Sequence, residues 1–169
     1  MLLLHNSKSN RQIAQLLGEA SKSLKTIGSP GLQIQYMMLN GQSTIIKTNT
    51  KCNFEKRPTG LLLHTWVGRQ KAFIVIPFSA IEQVVLIKGK EKCSPSRFSI
   101  LRLLLNLGVP LRYARYFRTQ ISEYAIAPMN LKIEGRNLQI NFQADGYYFE
   151  DMQQYFQSLP IQDQIEIIS

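Results

Sequence analysis

Aspartate is missing from the first 144 residues of this 169-residue chain. Over residues 1–122 the acidic side chains are Glu19, Glu55, Glu82 and Glu91 alone. Two-metal and carboxylate-dyad hydrolases need several acidic groups converging on one point. The composition therefore speaks against that class and leaves open only a site built on glutamate. Histidine is as scarce, with only His5 and His64. There is no Cys-x-x-Cys or His-x-x-x-His spacing, so the usual zinc signatures are absent. The stretch Gly28-Ser29-Pro30-Gly31 lacks both the spacing and the following Lys-Ser/Thr of a phosphate loop. No serine stands in a nucleophile-elbow pattern. These absences predict a non-enzymatic protein with no catalytic residue, cofactor or metal. The enzyme alternative would set His64 against Glu55 or Glu82, should the fold bring them together.

Cys52 and Cys93 lie far apart and are expected to be free thiols, at least one of them buried. No apolar run approaches the roughly 18–20 residues that span a bilayer. The start, Met1 to Asn6, has three leucines but no positive leader, long apolar stretch or small-residue cleavage site. The expectation is a soluble, cytoplasmic protein.

Positive charge is what the chain has in excess, at a formal +9. Residues 1–122 hold 18 Lys/Arg against 4 Glu, a net of +14, whereas residues 123–169 come to −5. A basic body of this kind suits an anionic partner.

Hydrophobic residues make up 44% of the chain, enough for one packed domain over 1–169. Ile13, Leu16, Leu17, Ala20, Leu24 and Ile27 recur at helical spacing, Ser9 and Gln12 fit a capping box, and Gly28 and Pro30 follow. The segment 9–28 is thus predicted as an amphipathic helix with Arg11, Lys22 and Lys25 on its outer side. From 32 to 88 the period changes to two. Leu32 to Met38 forms a strand, Asn40-Gly41 a type I′ turn, and Ser43 to Thr48 the returning strand. A polar loop is expected from Asn49 to Gly60. Leu61–Val67 and Lys71–Phe78 make a second hairpin, with the apolar run Phe73–Ile76 marking a central strand, and Glu82–Lys88 a further strand.

Residues 96–124 return to helical spacing. Within 130–159, Leu131–Glu134 and Asn137–Phe142 pair around Gly135-Arg136. Asp145 then caps a final helix presenting Tyr148, Phe149, Met152, Tyr155, Phe156 and Leu159. The tail, 160–169, is expected to be loose, with Ile165, Ile167 and Ile168 able to add an edge strand. The fold class is α+β: an antiparallel sheet or barrel of about seven strands, with an N-terminal helix, an inserted helical hairpin and a C-terminal helix. This element order resembles a pleckstrin-homology-like barrel, in which seven strands are plugged by a final helix. The N-terminal helix and the insertion depart from its simplest form, and no binding residue is carried over from it.

The basic charge concentrates beside the insertion. Lys88, Lys90, Lys92, Arg97, Arg102, Arg112, Arg115 and Arg118 stand against Glu91 alone, a net of +7 and half that of the basic body. From Phe98 to Leu107 the chain is almost wholly apolar, with Ser99, Arg102 and Asn106 as a narrow polar strip. Such a helix is either buried or pressed into something else. After Gly108-Val109-Pro110 a second helix is expected, with Arg112, Arg115 and Arg118 on one side, Tyr113, Ala114, Phe117 and Ile121 on the other, and Tyr116 between. The function this predicts is a binding or assembly module that docks the hairpin on an anionic protein or membrane surface through those eight cations with Tyr113 and Tyr116. The alternative is a nucleic-acid-binding accessory protein, with phosphates on the arginines and bases stacked on the tyrosines.

Overall fold

Alternating apolar residues build one large sheet. The computed structural model describes residues 2–5, 9–19, 28–43 and 46–169. Its strands are β1 (Leu2–His5), β2 (Leu32–Leu39), β3 (Gln42–Ser43), β4 (Thr50–Arg57), β5 (Gly60–Val67), β6 (Gln70–Pro77), β7 (Gln83–Ile87), β8 (Glu91–Cys93), β9 (Tyr124–Ile126), β10 (Met129–Gly135), β11 (Leu138–Ala144) and β12 (Ile165–Ile168). The helices are α1 (Ser9–Leu17), α2 (Ile100–Asn106), α3 (Leu111–Ala114) and α4 (Phe149–Gln157). Nine strands are bonded in the order β1-β6-β5-β4-β2-β11-β10-β7-β12, with β3 beside β2 and β8–β9 as a separate ribbon. All pairs are antiparallel except β12, which runs parallel to β7. The α+β class stands, with more strands than seven.

The added strands have clear causes. β4 occupies the segment whose composition predicts a polar loop. Its alternation is real but thin: Cys52 and Phe54 point inward and are buried, while Lys51 and Asn53 are exposed. Six of its eight side chains are polar, which conceals the period. The return strand expected over Ser43–Thr48 shrinks to β3, with Thr44 and Ile45 outside the described residues. β4 takes its place on β2, in the register Leu32↔Cys52. At one edge of the sheet β1, which the sequence reading does not assign, pairs with β6; at the other, β12 supplies the edge strand that its isoleucines allow.

The inner face of the sheet closes on α4. Phe54 meets Phe142 and Phe156 edge-to-face, at 5.2 and 5.9 Å between ring centroids, joining β4, β11 and the helix. Such contacts add to what area burial alone gives. Asp145 accepts from the Tyr147 amide at 3.0 Å and opens a short 3₁₀ turn before α4. Phe149, Met152, Tyr155, Phe156 and Leu159 are buried as their spacing requires, but Tyr148 falls in the 3₁₀ turn and is half exposed. The Asn40-Gly41 turn has φ of +53° and +77°, as a type I′ turn needs. Cys52 and Cys93 are both free; burial pushes the Cys52 thiol up to about 12.

β6 is covered on both faces, which explains its unbroken apolar run. Ile74 and Ile76 join the main core, while Val75 packs outward with Leu62 against Ile13 and Leu17 of α1. The helix stops at Leu17, short of the predicted end; residues 20–27, which include Ala20, Lys22, Leu24, Lys25 and Ile27, lie outside the described residues. Gly18, at φ +79°, ends it and donates to the Ala14 carbonyl at 2.9 Å. Alanine at position 18 would sit in the left-handed region, at a cost of ~1–2 kcal/mol. Its Cβ would also press on Pro58 Cγ at 2.9 Å. Gly18→Ala is expected to lower the melting temperature by roughly 2–8 °C in a thermal melt.

Candidate functional site

Between β7 and β10 the chain leaves the sheet for the 41 residues 88–128. The excursion has a stem, the β8–β9 ribbon, in the register Glu91↔Ile126 to Cys93↔Tyr124. Above it sits a small head with its own core, where Leu101, Ala114 and Tyr124 are fully buried against Leu104, Leu105, Val109 and Leu111.

Local chemistry fixes the head. Ser99 caps α2 by accepting from the Arg102 amide at 3.1 Å. At the other end Val109 N–H donates to Leu104 O and Gly108 N–H to Leu105 O, both at 3.0 Å. This is the Schellman arrangement, and both Val109 and Leu104 pack on the head's core. Pro110 opens α3, as expected, but α3 ends at Ala114. A 3₁₀ turn over Arg115–Phe117 follows, and Arg118 is extended at φ −61°, ψ 136°. A single arginine stripe along one helix through 112, 115 and 118 is therefore not what forms, because helical period is lost after Ala114.

A carboxylate holds the head together. Glu123 is buried, at 1% exposure. It accepts from Ser96 N and Oγ at 3.1 and 2.7 Å, and from Thr119 N and Gln120 N at 2.7 and 3.3 Å. The Ser96 hydroxyl first, then the Thr119 and Ser96 amides, outweigh desolvation and pull its carboxyl down to about 2. Counted by composition it belongs to the acidic C-terminal part. In the fold it is an internal strut of the basic head.

The surface of the head is mostly apolar and cationic. Of the fifteen large apolar side chains exposed among the described residues, eight lie between 98 and 121: Phe98, Ile100, Leu103, Leu107, Tyr113, Tyr116, Phe117 and Ile121. Phe98 is 92% exposed and Ile121 80%. Tyr113, Phe117 and Ile121, expected on the side of a second helix opposite the arginines, are exposed, whereas Ala114 of that set is buried. Of the α2 leucines only Leu101 is fully buried; Leu104 and Leu105 are half-buried and Leu103 is open.

The eight predicted cations separate into three groups. Lys90, Lys92, Arg97, Arg102 and Arg112 are exposed and make no ion pair among the described residues. Arg97 lies over Phe98 and Arg112 over Tyr113, 5.6 and 4.6 Å from the ring centroids. Lys88 pairs with Glu91 at 3.2 Å. Partial desolvation would raise the Glu91 carboxyl, but Lys88, Tyr124 and Arg115 together hold it below its ordinary value.

Arg115 and Arg118 turn inward instead, into a notch of about 170 Å³ with Tyr116, Tyr124 and Tyr147. Arg115 donates to Tyr116 and Tyr124 hydroxyls at 3.3 and 3.1 Å, bonds that raise its already high basicity. Arg118 donates to the Tyr124 carbonyl at 3.0 Å and the Tyr147 hydroxyl at 2.6 Å. Sequence reasoning does not find Tyr124 or Tyr147. Tyr147 is 29 residues from Arg118, and the one trace it leaves is a second exposed tyrosine at the start of the final helix.

A second polar cluster lies across the sheet. His64 Nε2 is 2.7 Å from Glu55 Oε2, and Glu55 Oε1 is 2.8 Å from Arg57 Nη2. The fold thus brings His64 to Glu55. Glu82 is elsewhere, 3.4 Å from Arg136. Glu55 reaches His64, and Arg57 reaches Glu55, because β4 is a strand with Asn53↔His64 in register. Among the described residues no group of three or more His, Cys, Asp or Glu could hold a metal ion. Nor is any helix of them long and apolar enough to cross a membrane. No protein-family model, curated protein or solved structure matches the chain.

Proposed function

We propose that this chain is a peripheral binding module that docks the head of its 88–128 insertion on an anionic membrane surface. The observation that carries the reading is the clustering of Phe98, Ile100, Leu103, Leu107, Phe117 and Ile121 in solvent, interleaved with the unpaired Arg97, Arg102 and Arg112. Apolar side chains that enter the acyl boundary, flanked by cations at headgroup level, are what interfacial binding requires. Each Lys or Arg near an anionic leaflet contributes ~1 kcal/mol. A phosphate clamp for nucleic acid has no use for so much exposed aliphatic surface. The aromatic rings beside Arg97 and Arg112 would also serve stacking, so nucleic acid is the competitor the test must face.

The strand order supports a scaffold of matching kind. Along the chain β2, β4, β5, β6, β7, β10 and β11, followed by α4, give seven strands and a covering helix, the order of a pleckstrin-homology-like barrel. On this reading the insertion between the fifth and sixth of these strands is the working part.

The test is binding to vesicles of phosphatidylcholine with phosphatidylserine, and to mixed RNA and DNA, across a salt series. The Arg97→Gln, Arg102→Gln, Arg112→Gln triple variant is expected to lose roughly a hundredfold in vesicle affinity at low salt and less at high salt. Tight nucleic-acid binding that falls steeply with salt, with no vesicle binding, would overturn the membrane reading in favour of the nucleic-acid one.

A further inference from the structure

The notch beside the head has the chemistry of a phosphate site. Its two guanidiniums face no carboxylate within ion-pair distance among the described residues. Glu91 pairs with Lys88 at 3.2 Å, interacts with the Tyr124 hydroxyl, and acts on Arg115 through its charge rather than as an ion pair. Each arginine is oriented through part of its fork, Arg115 by Tyr116 and Tyr124, Arg118 by Tyr147 and the Tyr124 carbonyl. A guanidinium carries five donors, so both retain N–H groups for a ligand. The Tyr116 and Tyr147 oxygens accept from arginine, which leaves their O–H groups to donate. Cations and polarised hydroxyls therefore converge on a space open to solvent along the Tyr116 and Tyr147 rims, which are 73% and 47% exposed.

We infer that this notch binds the phosphate monoester of a phosphorylated lipid headgroup, so that the head recognises the kind of anionic lipid as well as its charge. The inference rests on the membrane reading. A monoester carries close to two negative charges near neutral pH, matching two guanidiniums. A diester, as in phosphatidylserine, carries one and has no bare phosphate end to enter the notch. A phosphate monoester presents three terminal oxygens against a carboxylate's two, so it can engage both forks and a hydroxyl at once. Phe117, exposed and adjacent in sequence to Tyr116, joins the notch to the apolar surface that would sit in the same membrane.

The full chain is to be measured on phosphatidylcholine vesicles carrying either phosphatidic acid or phosphatidylserine, adjusted to equal zeta potential. Affinity for phosphatidic acid is expected to be about tenfold higher. That ratio should fall to near one in Arg118→Gln and severalfold in Tyr147→Phe. Tyr147→Phe removes one exposed hydroxyl and keeps the ring, so it carries the test if Arg118→Gln does not fold. Glycerol 3-phosphate should compete with phosphatidic acid vesicles only at concentrations far above the lipid's, because the free ester lacks the membrane contribution. Equal wild-type affinity for the two lipids would overturn the notch assignment and leave membrane docking standing. Binding to neither would overturn both. Glycerol 3-phosphate bound as tightly as the vesicle would assign the notch to a soluble phosphate ester instead.

Discussion

Replacing Phe98, Leu103 and Leu107 together by serine is expected to weaken binding to phosphatidylserine vesicles by roughly a thousandfold. Fully burying such a side chain is worth ~1.5–3 kcal/mol relative to leaving it in water. Taking about 1.5 kcal/mol each for shallow insertion gives ~4.5 kcal/mol, which is somewhat more than a factor of about a thousand. The same substitutions should leave the melting temperature of the free chain nearly unmoved. All three residues are exposed, and surface changes of this kind stay within about 0.5 kcal/mol apiece. The pairing of a large loss in binding with an unchanged fold separates docking from packing. Vesicle sedimentation and a thermal melt measure the two halves. Binding within threefold of wild type would mean that no apolar contact is made, leaving an electrostatic partner, an acidic protein or nucleic acid, in its place.

The two triple variants divide the interaction by its physics. Loss through Arg97, Arg102 and Arg112 should shrink as salt rises, since exposed charges are screened within a Debye length of ~10 Å at 0.1 M. Loss through the apolar residues should not, because the hydrophobic term does not depend on screening. A head that uses both therefore shows a salt-sensitive and a salt-resistant share of its affinity.

Much of this fold is legible where one face of an element is strongly apolar. The period-two runs at 32–38, 61–67 and 137–142 and the helix carrying Phe149, Met152 and Phe156 are placed by their own side chains. The Asn40-Gly41 turn is placed by the φ values it demands. β4 escapes notice because a strand needs only Cys52 and Phe54 inward when neighbours on both sides supply the rest of the core. In the insertion the charge and the apolar excess are legible, and so is the chain break at Gly108 to Pro110. What is not legible is which side of the leucines faces out. A seven-residue helix resting on so small a core covers only Leu101 completely, and no local pattern announces that shortage. Arg115 and Arg118 look equivalent to Arg112 by spacing. They differ because the turn after Ala114 swings them toward Tyr124 and Tyr147, a contact made in three dimensions.

Glu123 is where the stability of that head is most exposed to a single change. Its two oxygens serve Ser96 on one side and the Thr119 and Gln120 amides on the other, tying the chain before α2 to the chain after α3. Glutamine keeps the shape but offers one acceptor oxygen and turns an NH₂ group toward N–H donors, leaving buried amides unpaired. Glu123→Gln is therefore expected to speed amide exchange across residues 96–124 by about tenfold to a hundredfold, with the sheet amides unchanged. The acid dependence has a definite sign. The carboxyl sits at about 2 in the folded chain against 4.5 ordinarily, so its contribution is complete above the ordinary value and is lost as pH falls through the folded one. Glu91, also held low, adds in the same direction. The wild-type head should accordingly loosen between about pH 5 and pH 2, and its exchange rates should converge on those of Glu123→Gln at the acid end. A variant that matched wild type at neutral pH would show that the head is held by its apolar core alone. It would also remove the reason for reading an acidic residue in so basic a segment as structural.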